Sequence, residues 1–458
     1  MNLRRKLDKL RERTEARVAT NPAEGDVRPA LDVSPPAIRA KAASSGDSFS
    51  VEKADRIARL RTMIGRLSES ASSRYEQQQA ERTAPKWESL AGREIETEQG
   101  SFHLIEQLLD PGHCHGRVPV RTALEVDIEA LAKLALEPRM KESALERLVI
   151  VDTETTGLAG GTGTIPFLVG LAWFEEGALQ LEQLLLKNLS DETPILYRIA
   201  ERLAWASLIV SYNGKSFDIP LLRTRFILNR VAMPELPPHL DLLHIARRVL
   251  KPRLDDLRLA QVERQVLGFY REGDVEGGEI PDIYLRFLRG ADPAILAPII
   301  EHNANDVIAL AAILGKLTQN FESVHLADDP RDHLAYAKVA SRAKDHERAL
   351  TFARAAAQYS GSADVACDAL ILTARLARKN RDPLASVQAL HQALEAASDP
   401  EAASQIHLSL AKLYEHALKD FPSARRHALN SAQAEGESRN LRRLKRIEKR
   451  MQEGKDRS

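Results

Sequence analysis

The sequence predicts an α/β domain built on a mixed sheet flanked by helices, followed by an all-α domain of helical repeats. Short apolar runs alternate with helical patterns between about residues 147 and 320. After about residue 330 the chain is Ala-rich and helical, and similar tetrapeptides recur. At 458 residues the chain exceeds the usual size of one core, so more than one folding unit is expected.

The first predicted strand is Leu148-Val-Ile-Val-Asp152, an apolar, β-branched run typical of a buried central strand. Two more strand-like runs, 165–174 and 178–187, are separated by the turn Glu175-Glu176-Gly177. Three consecutive strands predict an antiparallel meander. A helix over 191–205 and a fourth strand over 208–212 follow. Helical periodicity then dominates from Phe217, through 239–250, 256–267 and 293–317.

Two segments precede this core. Residues 1–90 carry short charged helical patterns broken by prolines, which predicts part helix and part disorder. Residues 91–146 are expected to be an extension that packs on the core. Within it, Ser101-Phe-His-Leu-Ile-Glu106 suggests a strand or a short helix.

An internal repeat covers residues 326–436. Tyr336-Ala-Lys-Val, Thr373-Ala-Arg-Leu and Leu410-Ala-Lys-Leu recur at intervals of 37 residues. Helix pairs stacked in this way resemble tetratricopeptide repeats, so this module is a candidate platform for a protein partner or a surface that packs on the core. Residues 437–458 form a basic tail with nine basic residues between Arg439 and Arg457, either a solvated helix end or a phosphate-binding segment.

The overall composition excludes few classes. Lys+Arg and Asp+Glu both number 65, so net charge gives no sign of a nucleic-acid binder. The apolar runs are too short for a membrane span and the N-terminus does not resemble a secretory signal, so a cytoplasmic protein without membrane contact is expected. Cys114 and Cys367 offer neither a disulfide framework nor a zinc spacing, even with His113 and His115 beside Cys114.

The sharpest chemical signal is Asp152-Thr153-Glu154 at the end of the first strand. Alternation along a strand sends Asp152 and Glu154 to one face. Two adjacent carboxylates repel each other unless a divalent cation neutralises them, and hard oxygen ligands favour Mg²⁺ or Mn²⁺. The glycines that follow, Gly157, Gly160, Gly161 and Gly163, do not fit a dinucleotide fingerprint and predict a mobile loop beside the metal site.

Two further segments carry acidic residues. In Tyr212-Asn-Gly-Lys-Ser-Phe-Asp218, Asp218 is the first residue of a predicted helix. Its carboxylate could bind a metal, or it could accept hydrogen bonds from the free backbone N–H groups of that helix. In the helical segment Glu301–Val307, His302 and Asp306 are four residues apart and face one side, either toward a common site or as a local pair. Asp241 and His244 are expected to organise a neighbouring helix or to support the metal site.

Together, the three segments resemble the DEDD exonucleases of the ribonuclease H-like superfamily. The runs Asp152-Thr-Glu-Thr-Thr-Gly, Ser211-Tyr-Asn-Gly-Lys-Ser-Phe-Asp218 and His302-Asn-Ala-Asn-Asp306 are similar to those of the bacterial YprB-type ribonuclease H-like proteins. Further support comes from His239-Leu-Asp-Leu-Leu-His244 and Ile280-Pro-Asp-Ile-Tyr284. The resemblance covers about residues 147–318.

The resemblance implies a nuclease that cuts phosphodiester bonds with two Mg²⁺ or Mn²⁺ ions, commonly from the 3′ end of single-stranded DNA or RNA. It makes Asp152, Glu154, Asp218 and Asp306 metal ligands and His302 the candidate general base, although this histidine stands at the spacing of the family's tyrosine branch. Thr155, Asn213, Lys215 and Arg223 are candidate nucleic-acid contacts, with Arg225 and Arg230 on the same helix. The competing hypothesis is a catalytically idle binding or scaffold protein that acts through its repeats.

Overall fold

A computed structural model of the protein describes residues 90–157, 163–327, 329–358 and 361–455. The predictions for the charged N-terminal region and for Gly160 and Gly161 fall outside these residues. The described residues belong to one compact unit. None of their helices is both long enough and apolar enough to span a membrane.

A seven-stranded mixed sheet forms the centre of the fold, in the order β1-β2-β7-β6-β5-β8-β9. Its first five strands are antiparallel to their neighbours, whereas β8 and β9 run parallel to β5. A two-stranded ribbon, β3-β4, lies outside it. The strands are β1 Arg93–Thr97, β2 Gly100–Leu109, β3 Cys114–His115, β4 Val118–Pro119, β5 Leu148–Thr155, β6 Pro166–Glu175, β7 Ala178–Leu185, β8 Leu208–Ser211 and β9 His239–Asp241.

The predicted fold class is confirmed. The meander β5-β6-β7, the helix after it and the fourth strand β8 all lie where the hydrophobic pattern predicts them. The segment 91–146 contributes β1 and β2, which extend the sheet beyond β7. The prediction of helix from residue 239 was wrong for its first three residues, because 239–241 pair with β8 as a parallel strand before the helix begins.

Helices cover both faces of the sheet. Alternate residues of β5 separate two cores: Ile150 contributes to the core beneath the long helix α8, and Val151 to the core on the opposite face. The helices up to this point are α1 Thr122–Glu125, α2 Ile128–Ala135, α3 Glu192–Trp205, α4 Asp218–Leu228, α5 Leu242–Val249, α6 Leu259–Val262, α7 Ile280–Leu288 and α8 Ala297–Glu322, with a π-helical turn Glu263–Leu267 after α6.

Three helix pairs follow α8. They are α9 Pro330–Arg342 with α10 His346–Gln358, α11 Ala363–Lys379 with α12 Pro383–Ala396, and α13 Pro400–Leu413 with α14 Phe421–Leu429. A π-helical turn, Tyr414–Leu418, extends α13. The core under α8 is continuous with the first helix pair, because Phe321 stacks on Phe352 and contacts Tyr336.

The C-terminal basic segment is helical. After the short helix α15 Ala432–Glu435, helix α16 runs from Glu437 to Lys455. Arg443 is buried and its guanidinium binds Glu415 and Glu435, and Arg446 also binds Glu415. Two of its arginines therefore hold this helix against the third helix pair.

Candidate metal centre

Two carboxylates of the candidate site lie at the end of the central strand β5. Asp152 and Glu154 follow Leu148 and Ile150 on the face that α8 covers, as alternation along the strand requires. Asp152 lies opposite Gly170 on β6, and Gly170 lies opposite Gln183 on β7. The acidic end of the strand therefore sits directly under the first half of α8.

Helix α8 brings the third motif to the same place. One ligand atom from each of Glu154, His302 and Asp306 lies within 4.8 Å of the others, and the side chains are partly buried. His302 Nε2 is 3.7 Å from Glu154 Oε1 and 3.7 Å from Asp306 Oδ2. Residues from two motifs far apart in sequence thus converge as the spacing predicts.

Asp218 reaches the site from the opposite layer. It is the first residue of α4, is buried, and accepts a hydrogen bond from the hydroxyl of Thr153 on β5. Gly214 lies so close to it that a Cβ there would be 3.0 Å from Asp218 Oδ2 and 2.4 Å from Ser211 Oγ. The Asn-Gly turn thus has a steric role in seating Asp218.

Charge repulsion and burial dominate the electrostatics of the site. Burial raises the pKa of Asp152 well above its ordinary range, and the charges of Asp306 and Asp218 raise it further. Burial and the charge of Asp152 do the same to the pKa of Glu154. Burial raises the pKa of Asp218 to about 6. Four acidic groups held together in this way favour a bound cation, which removes the cost of ionising them.

A hydrogen-bonded chain that sequence reasoning missed holds Asp152 in place. The amide of Asn303 is completely buried and donates to Asp152 Oδ2 at 2.8 Å. Gln183 donates to Asn303 Oδ1 at 2.9 Å and to the carbonyl of Ile300 at 2.7 Å. A side chain at Gly170 would collide with this arrangement, since its Cβ would lie 2.5 Å from Asn303 Oδ1. The glycine inside an apolar strand was the available signal for such close packing.

A second missed network surrounds Asp306. The guanidinium of Arg271, only 7% exposed, binds Asp306 and donates to Glu263 Oε2 at 2.7 Å. Glu263 has no exposed side-chain surface, and its other oxygen lies 2.8 Å from His115 Nε2. His115 stacks on Phe269, so this histidine, one of the two beside Cys114, serves as a buried partner of Glu263. No sequence periodicity marks Arg271, because it lies in a loop.

Asp274 orients the candidate base. Its Oδ1 lies 2.7 Å from His302 Nδ1, and this hydrogen bond contributes to a lowered pKa of Asp274. With Nδ1 bonded to a carboxylate, the other ring nitrogen, Nε2, is the one that faces Glu154 and Asp306. His302 therefore forms no simple local pair with Asp306.

The candidate nucleic-acid contacts differ in accessibility. Asn213, Lys215 and Arg223 are exposed, whereas Thr155 is buried and donates to the carbonyl of Gly157. Arg225, which the sequence also offered to phosphate, is buried against Glu192. The expectation that Arg225 contacts phosphate was wrong, because its guanidinium is the countercharge of the buried carboxylate of Glu192.

Asp241 organises the turn that precedes Asp218. Its carboxylate accepts from the backbone N–H groups of Asn213 at 2.8 Å and Lys215 at 3.1 Å, and it also caps helix α5 through Leu243 N–H. The sequence predicted such an organising role for Asp241. The exposed turn residues are thus fixed to the start of α5.

The donor set fits a divalent cation. Carboxylate oxygens are ligands that Mg²⁺ or Mn²⁺ accepts, and the raised carboxylate pKa values mark groups that lack sufficient countercharge. Arg271 supplies part of that countercharge at Asp306. The geometry defines an α/β domain with a candidate metal centre at the end of its central strand.

A family match and a sequence relative agree with this class. The family described as the RNase_H superfamily matches residues 149–318. The Bacillus subtilis (strain 168) protein named "Uncharacterized protein YprB" is 32% identical over 282 residues, which cover 60% of this chain and 67% of that protein. The family B DNA polymerase of the archaeon Pyrobaculum calidifontis is similar with a TM-score of 0.30 and 13% identity, over 43% of this chain and 29% of the polymerase.

The protein thus has an RNase H-like domain. Proteins of this class generally act on nucleic acid and hold divalent metal ions in a cluster of acidic residues. The chain belongs to the YprB-type family of RNase H-like proteins.

Proposed function

We propose that this protein is a metal-dependent exonuclease that removes nucleotides from the 3′ end of single-stranded nucleic acid. The observation that carries the proposal is the convergence of Glu154, His302 and Asp306 within 4.8 Å. Asp152 and Asp218 add two carboxylates whose charges act on the same cluster. A structural role alone gives no reason to bury four acidic groups around one point.

The four acidic residues would hold two Mg²⁺ or Mn²⁺ ions. When bound, such ions lower the pKa of an attacking water and stabilise charge on the leaving 3′ oxygen. Asn303 fixes the carboxylate of Asp152 and Thr153 fixes that of Asp218, so these two ligands are preoriented.

His302 is the proposed general base. Asp274 Oδ1 accepts a hydrogen bond from Nδ1–H, so Nε2 is left to take a proton from the water that attacks phosphorus. The new P–O bond forms as the bond from phosphorus to O3′ breaks, and O3′ takes a proton from solvent. The products are a nucleoside 5′-monophosphate and a strand shortened by one residue. A base adds about 10²–10⁴-fold to the rate, so losing His302 costs less than losing a ligand.

The test uses single-stranded DNA and RNA labelled at either end, with Mn²⁺ or Mg²⁺. Asp152→Asn keeps the shape of the side chain and removes its charge, and Asp282→Asn is the matched control on an exposed face of α7. We expect a ladder of shortening products from 5′-labelled strands with wild type and control, and none with Asp152→Asn.

The alternative function is a catalytically idle scaffold. The Arg271 guanidinium on Asp306 favours it, since that arginine supplies countercharge without a metal. If folded wild-type protein binds Mn²⁺ and nucleic acid but cleaves neither DNA nor RNA, the scaffold function is established and the nuclease is excluded. Single-nucleotide release from the 5′ end would overturn the proposed polarity.

A further inference from the structure

The three helix pairs carry basic residues at equivalent positions. Lys338, Arg375 and Lys412 occupy the third position of the recurring tetrapeptide, 37 residues apart. Four residues later in each pair stand Arg342, Lys379 and His416. All six are exposed. Residues four apart share one helix face, so the first helix of each of the first two pairs ends with two basic side chains on the same side. In the third pair, His416 lies in the π-helical turn that extends α13.

The residues at each equivalent position form a row, and a third row lies in the turns between the paired helices. Lys344, Arg381 and Lys419 all adopt the left-handed backbone conformation, with φ of 64°, 60° and 57°. Each is exposed. The interval between Arg381 and Lys419 is one residue longer than the repeat, and the π-helical turn Tyr414–Leu418 lies between them. The extra residue is therefore accommodated without losing the basic residue at the turn. We call these nine residues the basic array.

Helix-end electrostatics account for only part of this pattern. A basic residue in the last turn complements the helix dipole wherever it lies around the helix. Compensation of the helix dipole does not explain why the basic residues stand at the same positions in all three pairs. It also does not explain why the residue in the turn is basic. Within the described part of the chain, only Lys338, with Asp368, and His416, with Glu415, form ion pairs among the nine.

The basic rows of the second and third pairs meet at one cavity. A space of about 490 Å³ is lined by Arg378, Arg381, Lys412 and His416, with Arg443 at its side. Arg443 is neutralised by Glu415 and Glu435, and His416 lies 3.5 Å from Glu415. Among the described residues, Arg378, Arg381 and Lys412 form no ion pair. The cavity thus concentrates positive charge where an anionic group could enter.

At its other end, the array approaches the candidate metal centre. Lys338 of the first pair and Arg248 line the same cavity, which has a volume of about 310 Å³. The charge of Arg342 also contributes, after burial, to a lowered pKa of Arg248. Arg248 lies near the end of α5, whose beginning is capped by Asp241. Asp241 also holds the backbone of Asn213 and Lys215. Helix α5 has eight residues, so its axis is about 12 Å long, with Arg248 near one end and Asp241 at the other.

We propose that the basic array binds the phosphate backbone of single-stranded nucleic acid and leads the strand toward the candidate metal centre. The proposal rests on the proposed function, since it takes the nuclease substrate as the polyanion. Repeated basic side chains, seven of the nine outside any ion pair among the described residues, suit a polymer with evenly repeated charge. An acidic protein segment is the competing ligand.

The test measures binding separately from cleavage. Fluorescence anisotropy with labelled single-stranded DNA and RNA in EDTA, over a range of salt concentrations, gives the affinity and the salt slope. The variant Arg375→Ala/Lys379→Ala/Arg381→Ala removes one residue from each row. Its matched control, Arg354→Ala/Arg426→Ala/Arg439→Ala, removes three exposed arginines outside the array. We expect the array variant to weaken binding at low salt and to reduce the salt slope by about 2, whereas the control keeps both the affinity and the slope.

Each outcome decides between the claims. An unchanged affinity and salt slope in the array variant would overturn the array proposal, even if wild type cleaves. Wild-type binding that depends on the array without any cleavage would overturn the nuclease and retain the binding surface. Stronger displacement by poly-glutamate than by an oligonucleotide of equal charge would assign the array to an acidic protein partner and overturn the proposal.

Discussion

Asn303 donates a hydrogen bond of 2.8 Å to Oδ2 of Asp152, across the interface between helix α8 and strand β5. The amide is completely buried and its oxygen accepts from Gln183, so the direction of both bonds is fixed. This contact joins the helix that carries His302 and Asp306 to the strand that carries Asp152 and Glu154. The relative placement of the motifs therefore depends on an uncharged residue between them.

Replacing Asn303 with Ala should lower the free energy of unfolding by about 1–3 kcal/mol, because Asp152 loses a buried donor. Cleavage should fall as well, since the carboxylate is no longer oriented. Asn305→Ala, on the same helix but partly exposed, should change stability by less than about 0.5 kcal/mol. Urea denaturation and initial rates measure both effects. Equal stability of the two variants would contradict the role of Asn303.

Gly170→Ala should push α8 away from the sheet. The added Cβ would lie 2.5 Å from Asn303 Oδ1 and 2.8 Å from Val307 Cγ2, and such overpacking costs about 1–3 kcal/mol. Gly278→Ala is the control, because no atom lies within 4 Å of a Cβ at that position. Thermal denaturation of both variants should reveal a lowered melting temperature for Gly170→Ala alone. Indistinguishable melting curves would show that α8 can move away from the sheet without loss of stability.

Arg271→Gln should make the protein more dependent on divalent cations. Removing one partner of buried ion pairs costs about 3–5 kcal/mol, and the lost charge leaves Asp306 and Glu263 unneutralised. Mn²⁺ should therefore raise the melting temperature of the variant more than that of wild type. Arg264→Gln, an exposed neighbour, should respond like wild type. The same Mn²⁺ shift in all three proteins would show that Arg271 and the cation do not compete.

The raised pKa of Asp218 predicts a pH dependence of stability. Between its ordinary value of 3.8 and about 6, the folded state binds more protons at this carboxyl than the unfolded state does. Stability contributed by Asp218 therefore falls as pH rises through this window. In EDTA, the loss in free energy of unfolding from pH 4 to pH 7 should be smaller in Asp218→Asn than in wild type, as measured by urea titration. A pH profile identical to that of wild type would place the carboxyl in a solvated environment.

The acidic motifs could be located from the sequence because two simple periodicities control them. Alternation puts Asp152 and Glu154 on one face of a strand, and a four-residue spacing puts His302 and Asp306 on one face of a helix. The place where the strand motif and the helix motif meet follows from the order of strands and helices along the chain. The hydrophobic pattern likewise located the meander and β8, because each strand is buried on both faces.

The supporting residues could not be found in this way. Gln183 interrupts the alternation of leucines on β7 and looks, beside Glu182, like an ordinary polar position, although α8 covers it. Arg271 and Asp274 lie in a loop, where neither period applies, and His115 meets Glu263 only through the folding of distant segments. Whether a polar side chain is buried depends on what crosses over it, and local sequence carries little of that information.

Helix α8 belongs to two assemblies at once. Its first half carries His302, Asn303 and Asp306, and its last turn places Phe321 among Tyr336 and Phe352 of the first helix pair. A recombination event in the connection 323–329 would leave Phe321 facing an unrelated surface. We therefore expect the two halves of the chain to be inherited together, and a substitution on one side of this contact to require a matching substitution on the other.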